Sequence, residues 1–354
     1  MKILELKSLV EALPGGERRL FRRIFQVEEV WGRLRIPEPL KPWVEERFES
    51  LSLVENQRIL KVVNRVTLEG AFFNELRGRR PVERATVKVS LEASEDCFFC
   101  KPESFTAEDV FGRLHGRYGL TAANLTKYDG WHSLIIFAEH NPLKYGREEI
   151  LDYLNLAVEW FRRVRREDSN AVFPFLLWNC LWRSGASQIH GHLQVAMSRK
   201  AYPKVEYLRR CAAWYKAKYR SNYFEDLFRI HEALGLAFKH GDVGVMASLT
   251  PVKEREVVLL ANKAGLKLFE AVFKVLEAYR RLGVSTFNLS MALPPMAGVR
   301  GWEGFPVLTR LVDRGSLEER TSDMGGMELY AASIVSSDPF QLAENLKKAG
   351  FQNI

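Results

Sequence analysis

Hydrophobic positions along the 354-residue chain change period several times, and each change marks an element. Residues 1–58 read as a helical, connective N-terminal extension, broken at Pro14-Gly-Gly and between Pro37 and Pro42. From Ile59 the pattern becomes that of strands. Ile59-Leu-Lys-Val-Val, Val66-Thr-Leu-Glu-Gly-Ala-Phe-Phe and Ala85-Thr-Val-Lys-Val-Ser-Leu alternate or run apolar. Ser133-Leu-Ile-Ile-Phe-Ala and Phe173-Pro-Phe-Leu-Leu-Trp read as buried strands, and Leu193-Gln-Val-Ala-Met closes a first unit over 59–200. Between them Ile150, Leu151, Leu154, Ala157, Val158 and Phe161 recur at helical spacing, which predicts an amphipathic helix over 147–166 lying on a sheet.

Residues 201–234 are aromatic and basic and predict a helical connection. A second set of strands follows in 235–354: Gly244-Val-Met-Ala-Ser-Leu, Val257-Val-Leu-Leu, Phe287-Asn-Leu-Ser-Met and Leu329-Tyr-Ala-Ala-Ser-Ile-Val. Helices are predicted over 263–282 and 339–348. Both halves run strand, strand, helix, strand. That is a structural duplication without a sequence repeat, in an α+β chain with a largely antiparallel sheet.

The polar interruptions of this pattern carry the candidate chemistry. In an extended strand, side chains two apart share a face. His190, His192 and Gln194 therefore form one polar row on a ribbon that is otherwise apolar (Leu193, Val195, Met197). The Ser184-Gly-Ala-Ser turn before them offers backbone N–H groups suited to an anion. An imidazole, an amide donor and a phosphate cradle are the parts needed to pass a phosphoryl group through a histidine. A carbonyl, such as that of His190, can hold the Nδ1–H of His192 and leave Nε2 to attack. Gln194 can donate to a non-bridging oxygen but cannot act as an acid, which favours transfer between phosphates over hydrolysis. The competing reading of 190–194 is a strand edge that is merely polar.

Composition narrows the class. The chain is 47% hydrophobic and 27% charged, which suits a globular protein with a sizeable core. It opens without a secretory pattern and holds no apolar run long enough to span a bilayer, so the expectation is a cytoplasmic protein. The net charge of +8 comes from Lys and Arg spread along the chain, which fits attraction of phosphate-bearing small molecules better than a nucleic-acid surface. Of four cysteines, Cys180 and Cys211 stand alone, while Cys97 and Cys100 form a C-x-x-C pair followed by Pro102, a pattern that favours metal over redox chemistry. With His140 and His190 they make a Cys₂His₂ set suited to one zinc ion. Sequence spacing does not establish contact, and His140 reads alternatively as a capping or surface histidine. Arg77, Arg79 and Arg80 offer guanidinium groups for a diphosphate, Asn179 and Ser187 donors for phosphate oxygens, and Asn124 and Lys127 contacts for a nucleoside.

In order and approximate spacing, Cys97-x-x-Cys100, Asn124-x-x-x-Tyr128, Gly130-x-His132, the strand ending at His140, Asn179 and Gly185-Ala-Ser-Gln-x-His-x-His-x-Gln resemble the galactose-1-phosphate uridylyltransferase family of the histidine-triad superfamily. The resemblance implies two histidine-triad-like halves. It further implies UMP exchange between UDP-glucose (or UDP-galactose) and a hexose 1-phosphate such as galactose 1-phosphate, by a ping-pong route through a uridylyl-histidine at His192. It casts Gln194 as the phosphoryl hydrogen-bond donor and Cys97, Cys100, His140 and His190 as zinc ligands. Arg77, Arg80, Asn179 and Ser187 become phosphate contacts, Asn124 a nucleoside contact and Glu328 a hexose contact. It implies a homodimer with shared active sites, with no nucleic-acid or membrane partner. Three departures stand out. Gly191 replaces the proline usual between the two histidines. Pro306-Val-Leu-Thr-Arg-Leu stands where some members place a further histidine pair, so no second metal is expected. Ser322-Asp-Met-Gly-Gly leaves the hexose open. One rival is a sibling phosphorylase acting on an ADP-sugar or a dinucleoside polyphosphate with phosphate as acceptor. The other is a zinc-stabilised nucleic-acid-binding protein, which would bind with steep salt dependence and be indifferent to loss of Gln194.

Overall fold

The computed structural model describes residues 2–82, 90–320 and 324–352. In chain order its strands are β1 (Phe25–Arg33), β2 (Asn56–Asn64), β3 (Gly70–Phe73), β4 (Gly119–Ala123), β5 (Trp131–Phe137), β6 (Phe173–Cys180), β7 (His192–Ser198), β8 (Ala237–His240), β9 (Val243–Ala247), β10 (Glu254–Ala261), β11 (Phe287–Ala292), β12 (Val307–Asp313) and β13 (Ser333–Val335). One sheet has nine strands in the order β4-β5-β7-β6-β11-β12-β10-β9-β8, and a smaller sheet runs β1-β2-β3-β13. The large sheet reads almost the same from either end. β4-β5-β7-β6 is mirrored by β9-β10-β12-β11, and the seam is the antiparallel pair β6/β11, where Asn179 faces Asn288. In each half a long helix lies between the second and third strands in sequence, Arg147–Glu167 in the first and Leu266–Arg281 in the second. The duplication inferred from the element order is thus present as an α+β architecture of two antiparallel halves.

Those two helices pack on one face of the sheet and against each other. Their buried sides carry Ile150, Leu154, Ala157, Trp160 and Phe161 in the first, and Phe269, Val272, Val275, Leu276 and Tyr279 in the second. They close over Leu176, Trp178, Leu193, Val195, Met197 and Leu289, each no more than 2% exposed. Burying one such side chain contributes roughly 1.5–3 kcal/mol of transfer free energy, so this face fixes which way β6 and β7 turn. A one-residue slip would invert every side chain. The opposite face therefore receives Asn179, His192 and Gln194. In the second half the same face carries Arg310, half-buried between Glu69 (2.9 Å) and Glu256 (3.3 Å).

The N-terminal extension differs from the expected helical segment. Phe25–Arg33 is a strand paired along its whole length with β2. Its charges look like a solvated helix face, but Glu28 and Glu29 reach across the ladder to Lys61 (3.2 Å) and Arg58 (2.9 Å). Only Gly70–Phe73 of the strand expected from Val66 is extended. The Asn64 carboxamide accepts the backbone N–H groups of Val66 and Thr67 and folds the preceding residues into a turn. The late strand is also shorter than expected: Met327–Tyr330 is a helical turn, and Ser333–Val335 adds parallel to β3. The connection resolves into helices Pro203–Tyr219 and Tyr223–Ala233. The strand expected at 85–91 falls almost wholly outside the described residues. No helix among the described residues is long and apolar enough to cross a membrane.

His231 illustrates a histidine kept for structure. Its Nδ1–H donates to the Leu227 carbonyl (2.8 Å) and its Nε2 accepts the Leu249 N–H (3.2 Å), so the ring is satisfied only when neutral. Burial pushes it down to about 4. A base whose folded value lies below its ordinary 6.5 stabilises the fold fully above pH 6.5, and that stability is lost as pH falls toward 4. The loss attributable to His231 is about 3 kcal/mol. Urea titrations at pH 7 and pH 4 check this, since a His231→Gln variant is expected to lose part of the acid-dependent decline.

Candidate active site

β7 enters the sheet through a short segment whose backbone is tied on both sides. The Gly191 N–H donates to the His140 carbonyl (2.9 Å), and the Phe137 N–H donates to the Gly191 carbonyl (3.0 Å). This sets His190 beside the end of β5. There Cys97, Cys100, His140 and His190 converge, with all four ligand atoms within 4.8 Å of one another. Cys97 Sγ lies 3.5 Å from His190 Nδ1, and Cys100 Sγ lies 3.3 Å from His140 Nδ1 and 3.5 Å from His190 Nδ1. Sulfur–nitrogen edges of about 3.5 Å are what a tetrahedral ion with metal–sulfur bonds near 2.3 Å and metal–nitrogen bonds near 2.0 Å requires. His190 also donates from Nε2 to the Phe137 carbonyl (2.7 Å), which commits its Nδ1 to the ligand role. Burial lowers His190 to about 4, so its ligand nitrogen is unprotonated at neutral pH. The four residues form a Cys₂His₂ cluster that can hold a metal ion.

Gly191, the residue that departs from the resembled motif, has a packing reason here. A Cβ at this position would collide with the Phe137 ring. That ring cannot yield, because it stacks on Tyr153 (3.8 Å between centroids) and meets Trp178 edge-on. Gly191→Ala is expected to cost about 1–3 kcal/mol. Gly191→Pro also deletes the N–H bonded to His140, and thermal denaturation of the two variants should rank proline as the worse.

His192 begins β7 with its side chain buried. Its Nδ1–H donates to the His190 carbonyl at 2.8 Å, so the imidazole is held as the tautomer whose Nε2 lone pair is available. Burial lowers its basicity and keeps it neutral, while Phe99, from within the C-x-x-C pair, packs edge-on to the ring (5.4 Å). The turn before it is built by Leu181 and Gly185, both at positive φ (67° and 96°). Gly185 and Ala186 spend their N–H groups inside the turn. The exposed N–H groups of Ser187, Gln188 and Ile189 make no intramolecular hydrogen bond among the described residues. Three successive free donors next to a neutral imidazole can hold an oxyanion. Gln194 lies on the same face as His192, its Oε1 3.1 Å from His132 Nε2. Asn179 lies across the seam from Asn288, which donates to its Oδ1 (2.7 Å).

Arg77, Arg80 and Glu328 are brought together elsewhere. They line a cleft of about 830 Å³ with Arg183, Arg255 and Arg314, and neither His192 nor Gln194 lines it. The arginine turn is pinned by Arg47, which donates to the carbonyls of Arg79 (2.7 Å) and Arg80 (3.0 Å). Burial, and then the charge of Arg80, lowers the Arg77 guanidinium, a strain that an anion would relieve. Glu328 is ion-paired with Lys253. Asn124 sits near Gln194, its Oδ1 accepting the Thr126 N–H (2.9 Å) and its Nδ2 3.3 Å from His132 Nε2. Lys127 turns back onto the His132 carbonyl (2.7 Å). Arg183 links cleft and turn, donating to the carbonyls of Arg314 (2.7 Å) and Glu319 (2.8 Å).

Nothing in the sequence pattern marks Phe99, Phe137, Asn288 or Arg314 as part of the site, and it gives His132 no role. The signal available was weak. Asn288 follows an apolar residue on a predicted strand, as Asn179 does, but only the seam register shows that the two meet.

Solved structures share the two-half sheet that carries this cluster and the H-x-H-x-Q strand. An ADP-glucose phosphorylase from Arabidopsis thaliana, with bound ADP-glucose, superposes with a TM-score of 0.61 at 14% identity over 81% of this chain and 97% of that one. A uridylyltransferase structure gives 0.58 at 16% identity over 75% and 95%, and a galt-like protein from Arabidopsis thaliana 0.58 at 13% identity over 81% and 97%. At these identities the likeness establishes the fold. No family model and no curated protein matches the sequence.

Proposed function

We propose that this protein transfers a nucleoside monophosphate from a nucleotide sugar to a phosphate-bearing acceptor, through a covalent intermediate on His192. In the first half-reaction the Nε2 lone pair attacks the α-phosphorus. A P–N bond forms, the P–O bond to the β-phosphate breaks, and hexose 1-phosphate leaves with the electron pair. In the second, an oxygen of the acceptor phosphate attacks the same phosphorus and the P–N bond breaks. No proton has to reach the leaving group, which suits an amide at Gln194. The hydrogen bond from His192 to the His190 carbonyl carries this reading, because it fixes the tautomer that attack requires. The N–H groups of Ser187 to Ile189 and the amides of Gln194 and Asn179 are donors for oxygens on which charge grows. The Cys₂His₂ donor set suits zinc, which when bound would supply rigidity to His190 and so to the strand that presents His192.

The acceptor we favour is a hexose 1-phosphate such as galactose 1-phosphate, with UDP-glucose as donor, on the motif order that this chain shares with uridylyltransferases. The cleft of Arg77, Arg80 and Glu328, which Arg314 joins through Asn288 to Asn179, then takes the phosphate and hexose, and Asn124 the nucleoside. The likeness to ADP-glucose phosphorylase supports a second reading with ADP-glucose as donor and inorganic phosphate as acceptor. Assays of UDP-glucose and ADP-glucose, each with galactose 1-phosphate or phosphate, separate the two. Turnover of UDP-glucose only with the sugar phosphate is the expected result, ADP-glucose phosphorolysis would establish the second reading, and no turnover in any combination would refute both.

A further inference from the structure

The two amide side chains of the site pose one question: which end of each faces the substrate? A carboxamide presents either a donor or an acceptor, and only the donor end stabilises a phosphoryl oxygen. Two chains of hydrogen bonds answer it, and each begins at a group whose polarity is fixed. The backbone N–H of Tyr128, a donor only, points at His132 Nδ1 (3.4 Å). Nδ1 is therefore the unprotonated nitrogen of a neutral ring, and Nε2 carries the proton. His132 is 1% exposed, and burial lowers its basicity, which keeps the ring neutral. Its Nε2–H lies 3.1 Å from Gln194 Oε1 and donates to it. Asn124 Nδ2, near the same nitrogen, is itself a donor because its Oδ1 is bonded to the Thr126 N–H, so it cannot take that proton. The Tyr128 ring lies against His132 with centroids 3.7 Å apart and planes tilted by 35°, which limits rotation of the imidazole.

The second chain starts from Arg314, also a donor only, which donates to Asn288 Oδ1. The other end of Asn288 is then its Nδ2, which donates to the Ser184 carbonyl (2.8 Å) and to Asn179 Oδ1 (2.7 Å). In both chains the amide oxygen of the site residue is occupied, while its NH₂ has no acceptor among the described residues. We infer that His132 and Asn288 are positioning residues: by occupying the oxygens of Gln194 and Asn179 they turn both NH₂ groups toward the transferred phosphoryl group. The second half of the chain thereby has a part in the first half's chemistry through Asn288 and Arg314. This inference rests on the phosphoryl-transfer reading for its consequence, but not for its geometry.

Two measurements test it. Long-range ¹H–¹⁵N correlation spectra of histidine-labelled protein report the His132 tautomer without any substrate. Protonated Nε2 is expected, and a protonated Nδ1 would overturn the first relay even if the protein turned over no nucleotide sugar. In turnover assays, His132→Phe keeps an aromatic ring but loses the donor, and Asn288→Asp keeps the shape but turns Asn179 around. Each is expected to lower kcat by about 10- to 100-fold with KM nearly unchanged. His132→Gln, which keeps a donor at the Nε2 position, should recover most of the loss. His132→Phe should have no further effect once Gln194 is alanine, nor Asn288→Asp once Asn179 is alanine. Losses that multiply in full in those backgrounds would reduce both residues to a structural role.

Discussion

His192→Ala is expected to lower nucleotidyl transfer by about four orders of magnitude or more while leaving the fold intact. No neighbour can take over. His190 has its Nε2 committed to the Phe137 carbonyl and its Nδ1 turned into the Cys₂His₂ cluster, and Gln194 is not a nucleophile. The remaining donors would still bind a nucleotide, so the loss should fall on kcat and spare ligand affinity. The buried ring packs edge-on to Phe99 on the face of the sheet opposite the helices, and removing it leaves the core on the helix side untouched. Circular dichroism and thermal denaturation should match the wild type within about 1 kcal/mol. A variant that retained turnover would place the chemistry elsewhere.

Cys97→Ser or Cys100→Ser should produce the second large effect. The cluster ties three distant segments, residues 97–100, 140 and 190, to one point. Metal binding that needs the folded arrangement contributes its free energy to folding. Losing one thiolate should drop bound metal from about one ion per chain to a small fraction and lower Tm by about 5–10 °C. Activity should fall as well, because His190 supplies the carbonyl that sets the His192 tautomer. Chelation of the wild-type protein should reproduce the stability loss. Metal analysis on the purified variants is the check, and undiminished metal content would remove the ion from this cluster.

Much of the candidate site's layout was legible because it is local. H-x-H-x-Q lies within five residues, and the two-residue period of a strand alone puts its polar members on one face. C-x-x-C announced itself in the same way. What could not be read was anything decided across the sheet. The meeting of Asn288 with Asn179 depends on a seam between halves more than a hundred residues apart. His132 gains meaning only from the β5/β7 register, which sets Leu134 opposite Gln194 and leaves His132 diagonal to it. Gly191 stood out in the sequence only as a departure from the resembled motif. In the structure it is the position where Phe137 fills the space a side chain would need. The N-terminal strand was hidden by charge, since Glu28 and Glu29 are satisfied by a partner strand that the local pattern does not show. Arg77, Arg80 and Glu328 were each read as substrate contacts, and the chain gathers them in a cleft of their own.

The central claim is that His192 Nε2 becomes covalently bonded to the phosphorus of a nucleotide. Intact-mass measurement of the protein after exposure to UDP-glucose or ADP-glucose alone, without acceptor, tests it most directly. A gain of one nucleoside monophosphate, labile to acid, mapped to His192 and absent from His192→Ala, is the predicted result. An unmodified mass in protein that catalyses transfer would contradict the account.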